Sequence, residues 1–163
     1  MMLHGARGKR GLELFAQRAT KRGIAVLVPD SRGSTWDLIA SGFSQLGPDV
    51  AFIDRALRAT FSSIAVDPQH IAIGGFSDGA SYALSLGLAN GDLFTHVIAY
   101  SPGGLLPPSV RGRPAIFIAH GVYDNVLPIK TSSREIIARL LQTGYAPTYK
   151  EFRGGDGIDF SML

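Results

Sequence analysis

His70-Ile71-Ala72-Ile73-Gly74-Gly75-Phe76-Ser77-Asp78-Gly79-Ala80 decides how this chain is read. A short apolar, β-branched run at 70–74 gives way to a glycine-rich turn, and apolar residues then recur at three- and four-residue spacings through 77–89. That is a strand running through a tight turn into a helix. Gly75 and Gly79 lack side chains, so strand and helix can approach, and Ser77 is left strained and exposed at the tip. The amino terminus of the helix then offers backbone N–H groups and the positive end of its dipole to a developing negative charge. The bare Gly-x-Ser-x-Gly pattern is weak in a chain with 20 glycines; its placement between strand and helix gives it meaning. Two other readings compete with a nucleophilic serine. Ser77 as a plain helix cap fits the turn less fully, and dinucleotide binding fails because the Gly-x-Gly-x-x-Gly spacing is absent.

Outward from this stretch, β-branched runs alternate with helical patterns. Strands are expected at 24–29, 70–74, His96–Tyr100, 115–120 and Thr148–Phe152, with residues 1–3 the tail of another, and helices at 12–22, 48–61, 77–89 and 132–143. The strands are largely apolar, as strands buried on both faces must be. The fold class is therefore α/β, a mostly parallel sheet flanked by helices, in which chemistry is sought at the carboxyl ends of the strands.

Composition narrows the function. The 163 residues, 45% hydrophobic and 18% charged, describe one globular domain over 1–163. With no cysteine, thiolate metal sites, disulfides and a Cys nucleophile are excluded. No apolar run approaches the roughly 20 residues of a membrane span, and the start lacks the pattern of a secretory signal, so a cytoplasmic location is expected. The net charge of +3 comes from scattered Lys and Arg without interleaved aromatics, which argues against a nucleic-acid partner.

Other strand ends carry further motifs. His4-Gly5-Ala6 follows the first strand, His120-Gly121-Val122-Tyr123-Asp124-Asn125-Val126-Leu127-Pro128 follows the run at 115–120, and Pro29-Asp30-Ser31-Arg32-Gly33-Ser34-Thr35-Trp36-Asp37 and Ser101-Pro102-Gly103-Gly104 occupy equivalent places. With the Ser77 elbow, these resemble the carboxylesterase/phospholipase and dienelactone-hydrolase branch of the α/β-hydrolases over nearly the whole chain. The resemblance implies hydrolysis of carboxylic esters through an acyl-enzyme on Ser77, without cofactor or metal. It makes Asp124 the triad carboxylate, the alternative being a turn-forming Asp before Asn. The N–H groups of Ala6 and Asp78 would form the oxyanion hole. His4 is mainly a support of that turn and a candidate to touch the substrate, and Trp36 is a candidate for the acyl pocket or for packing. No inserted cap domain is visible, so an open cleft that takes a small-molecule ester is expected.

Two departures stand out. Relatives have further strands before the His-Gly turn and a helix after the last strand, so a compact α/β-hydrolase with exposed sheet edges, and a homodimer through them, is expected. More consequential for chemistry, Arg153-Gly154-Gly155-Asp156 puts Asp156 where the family has the general-base histidine. His70 and His96 begin strands, at the far edge, and His120 is the remaining candidate to contact substrate or replace the base. A slow esterase, a binding module that has lost catalysis, and an altered copy of an active enzyme are the readings this leaves open.

Overall fold

A computed structural model describes residues 1–161 except Arg7, Arg10, Phe43, Leu46, Pro108 and Phe160. Its elements are β1 (Met2–Leu3), α1 (Leu12–Thr20), α2 (Asp37–Ala40), α3 (Pro48–Ser63), β2 (Ala72–Phe76), α4 (Asp78–Ala89), β3 (His96–Tyr100), β4 (Ala115–Gly121), a short 3-10 turn (Ile129–Thr131), α5 (Ser133–Gln142) and β5 (Thr148–Phe152). The strands form one sheet in the order β1-β2-β3-β4-β5, every neighbour parallel.

Register explains the packing. Leu3, Gly75, Ala99, Ile118 and Tyr149 form one row across the sheet. Ile73 and Val97 point to the same face as this row, and both lie close beneath Gly87 of α4. That face buries the core, where Leu3, Ile73, Val97, Ile118, Tyr82, Leu84 and Leu88 join Ile53 and Leu57 of α3 and Ile136 and Leu140 of α5. The helix α4 is buried along its whole length. It is accordingly apolar on all sides, as a helix enclosed by the fold should be.

Two glycines set how close α4 sits. A Cβ on Gly75 would stand 2.3 Å from the backbone of Gly79, and a Cβ on Gly79 would stand 2.3 Å from the carbonyl oxygen of Leu3. Gly75 thus permits the turn, whereas Gly79 permits the helix to lie against β1.

Helix ends follow local chemistry. Gly144, at φ 80, lets α5 terminate with Tyr145 N–H bonded to Leu140 O and Gly144 N–H to Leu141 O, the paired bonds of a left-handed glycine cap. The turn after α1 repeats the pattern through Gly23, at φ 76, with Ile24 N–H on Ala19 O.

The segment 24–29, expected as a strand, is not one. Its link to β1 is a single backbone bond, Met2 N–H to Leu27 O at 2.9 Å. With β1 only two residues long, there is little ladder to join, and Pro29 brings no N–H. Strand β2 begins two residues later than its apolar run, because Asp67 closes a turn by accepting from the N–H groups of Gln69 and His70. No described helix is long and apolar enough to cross a membrane.

Because the obstacle at Gly79 is main chain and cannot rotate away, Gly79→Ala is expected to lower stability by about 1–3 kcal/mol. Gly33→Ala, whose Cβ would meet nothing closer than 3.5 Å, should leave it nearly unchanged. Urea unfolding midpoints of the two variants measure the contrast.

Candidate active site

Ser77 sits between β2 and α4 at φ 54, ψ −119, a conformation few non-glycine residues adopt. Three backbone bonds hold it there: its N–H donates to Tyr100 O, and its carbonyl accepts from Ala80 and Ser81. The residue is 9% exposed and opens onto a cavity of about 310 Å³ that is also lined by Gly5, Ala6, Asp78 and Asp156. Phe76, Val126, Leu127 and Ile158 give that cavity an apolar wall.

The His4-Gly5-Ala6 turn lies directly beside the serine. A Cβ on Gly5 would be 3.1 Å from the Cβ of Ser77, so only glycine fits without displacement. Ala6 and Asp78 therefore face one cavity from two sides. Asp78 is the first residue of α4, where an N–H has no acceptor within the helix. Its carboxylate is held aside by Thr35, whose hydroxyl donates to Oδ2 at 2.6 Å.

His4 is 4% exposed, and both ring nitrogens are occupied. Ser31 N–H donates to Nε2 at 3.0 Å, so Nδ1 carries the proton and donates to Gly5 O at 2.7 Å. Trp36 is fully buried, its indole N–H on His4 O at 2.8 Å and its ring packed between His4 and Tyr82. Both residues brace the turn from beneath and neither lines the cavity. The loop they hold is fixed further by reciprocal bonds, Asp37 N–H to Asp49 Oδ2 and Asp49 N–H to Asp37 Oδ2, with Tyr82 O–H on Asp37 Oδ1. Burial, reinforced by Asp37, raises the Tyr82 phenol far above the usual tyrosine range.

Asp124 lies behind Val126 and Leu127 and is not among the residues that line the cavity; its Oδ1 accepts from the N–H groups of those two, at 2.9 and 2.8 Å. Its Oδ2 lies 3.1 Å from His120 Nε2, which is also 2.9 Å from Leu127 O. Since both of those neighbours are acceptors, Nε2 bears the proton, while Nδ1 meets the Ser133 hydroxyl at 2.6 Å. His120 is completely buried and does not line the cavity. It fixes the acid loop and has no free nitrogen to offer Ser77. Asp124 thus makes the bonds of a turn and also meets an imidazole, although a different one from that expected of a triad.

Asp156 does line the cavity with Ser77. Backbone bonds strap its loop to the acid loop, Val122 N–H to Phe152 O and Tyr123 N–H to Gly154 O. The approach is so close that a Cβ on Gly121 would stand 2.4 Å from the carbonyl oxygens of Gly154 and Gly155. His70 and His96 are exposed at the other end of the strands, their rings stacked at 6.4 Å.

The sequence reading did not single out Phe76, Val126, Leu127 and Ile158 as walls. For Val126 and Leu127 a signal existed, because an Asp that closes a turn fixes the two residues after it. The reading also missed Ser81, whose hydroxyl accepts from Gly103 and Gly104 N–H, and Ser85, which accepts from Leu106 N–H. Together they tie the loop after β3 to α4.

A parallel sheet with a strained serine elbow at its carboxyl edge defines an α/β-hydrolase-type protein. The family model described as Phospholipase/Carboxylesterase matches residues 37–152, and the chain belongs to that family. A probable feruloyl esterase C of Aspergillus clavatus is 30% identical over 120 residues, 72% of this chain and 40% of that protein. The chain therefore spans less than half the length of this relative. Among solved structures, esterase PE8 superposes with TM-score 0.75 at 20% identity, covering 98% of this chain and 85% of that one. A phospholipase/carboxylesterase from Dyadobacter fermentans gives 0.72 at 20% identity, covering 98% and 83%.

Asp124→Asn turns an amide N–H toward the His120 N–H or, with the amide flipped, surrenders both backbone bonds at Oδ1. The expected cost is about 1–3 kcal/mol for a buried unsatisfied group. Ser133→Ala, which removes one partner of His120 and leaves the carboxylate untouched, should cost less. Denaturant titration of both variants checks the order.

Proposed function

We propose that this chain hydrolyses carboxylic esters through an acyl-enzyme on Ser77, slowly, with short-chain or aryl acyl groups in the apolar cavity. The observation that carries the reading is the Ser77 elbow, strained and opening onto a cavity shared with Ala6 and Asp78. Family membership supports it, as does the esterase name of the fungal relative.

In this reading Ser77 Oγ attacks the ester carbonyl. The oxyanion that forms is held by the N–H groups of Ala6 and Asp78. Collapse of the tetrahedral intermediate expels the alcohol, which takes up a proton, and water then releases the acid and restores Ser77.

The weak point is proton transfer. In a complete triad, one histidine nitrogen takes the serine proton while a carboxylate orients the other. Here both nitrogens of His120 are engaged, and Asp156 occupies the facing wall. The serine proton passes to Asp156 or to water, neither of which offers a second nitrogen for a carboxylate to orient. An oxyanion hole and substrate binding alone still provide roughly 10³ to 10⁴-fold over water. The competing reading is a binding module that keeps the cavity without turnover.

A fluorophosphonate reagent should add one phosphonyl group to the folded protein, seen as an intact-mass shift that Ser77→Ala abolishes. Failure to label the folded protein returns the binding module. With Asp156→His, the turnover number should rise by about 10² to 10⁴-fold. Its pH–rate profile should also gain a limb near pH ~6–7, the range of a histidine. A well-folded variant with neither change would show that the missing imidazole is not what limits the rate.

A further inference from the structure

A second cavity, of about 420 Å³, opens where the last turns of α4 and α5 meet the loop before β4. Leu88 lines it from the end of α4, eleven positions beyond Ser77, which at helical rise is about 16 Å away. The two cavities share no lining residue.

Its aliphatic walls are Leu88, Leu105, Val110 and Leu140, and its polar residues are Arg113, Arg139, Tyr145 and Thr143, whose hydroxyl is turned back onto the α5 carbonyls of Arg139 and Leu140. Arg113 lies over the Tyr145 ring, 4.9 Å from the centroid, and donates one N–H to Gly144 O at 3.1 Å. Arg139 reaches Leu105 O only at 3.5 Å. Most of each guanidinium fork is left over, and among the described residues neither arginine lies within ion-pair distance of a carboxylate. Tyr145 is 8% exposed, and its hydroxyl, without a hydrogen-bond partner among the described residues, is shut off from the open cavity by the surrounding protein.

We propose that this cavity binds a monocarboxylate with an apolar body of medium length. Two guanidiniums suit a carboxylate, since their planar forks match its two oxygens. The apolar body lies against the four aliphatic walls, in a cavity within the size range of small-molecule sites. A neutral molecule of the same shape would leave the two arginines unanswered. A carboxylate without the body would give up the burial that draws it out of water. The site is independent of the chemistry at Ser77 and stands whether or not that serine is acylated.

The test is calorimetric titration of the Ser77→Ala chain with sodium octanoate, 1-octanol and sodium acetate. Octanoate should bind with a stoichiometry of one, at least tenfold tighter than octanol, and acetate should give no measurable heat. Arg113→Gln combined with Arg139→Gln should weaken octanoate at least tenfold. Equal affinity for octanol, unchanged octanoate binding in the double variant, or no binding heat at all overturns the proposal.

Discussion

The active edge depends on one approach of main chain to main chain. At Gly79 the first turn of α4 lies against the carbonyls of Leu3 and His4, at a distance that excludes even a methyl group. That contact is what brings the His4-Gly5-Ala6 turn beside Ser77, and hence sets Ala6 and Asp78, from segments far apart in sequence, around one cavity. Were the helix an ångström further out, Ser77 would still be strained, but the wall facing it would be elsewhere. Electrostatic stabilisation of a transition state is geometric, effective only where donors already stand in position. On the proposed chemistry, the missing side chain of Gly79 is what supplies that position.

Around that contact, each loop at the carboxyl edge is fixed by a buried polar group with named partners. His4 and Trp36 hold the first turn, the Asp37–Asp49 pair holds the loop before α3, Ser81 and Ser85 hold the loop after β3, and His120 with Asp124 holds the last. Such groups are stable only when fully bonded, and their bonding has a chemical cost. Both histidines nearest the site are satisfied by the scaffold, so neither is free to move a proton. In the proposed hydrolysis, rigidity on the Ala6 side and weakness of the base share one origin, namely that the imidazoles serve the loops.

The elbow was legible because it is local: strand, turn and helix occupy consecutive residues, and each glycine has a steric reason. The parallel sheet was legible from the alternation of apolar runs, and the position of Asp156 from its place after β5. The strand at 24–29 was misread because its residues have strand propensity while its pairing depends on the length of β1, a tertiary matter. The four-residue α2 is too short to show a period. His4 and Trp36 were read as supports or as substrate contacts, and His120 as a substrate contact or a substitute base, because whether a side chain points into a cavity or beneath it depends on partners such as Ser31 N–H and Ser133, which sequence does not pair. Asp124 shows the same limit in milder form, since its turn bonds were foreseeable and its bond to His120 was not.

The register carries a temporal consequence. Strands β2 to β5 pair each with the next along the chain, so their ladders join segments separated by a single crossover, and loop closure there costs comparatively little entropy. Strand β1 pairs instead with β2, Met2 opposite Gly74, across α1, α2 and α3. Contacts closed over so long a stretch of chain are slow to form. Ser77 and its helix belong to the part that can assemble early, and Ala6 to the part that must arrive from afar. The wall beside Ser77 is therefore built from segments far apart in sequence, and closing it fixes the longest loop between paired strands of the sheet.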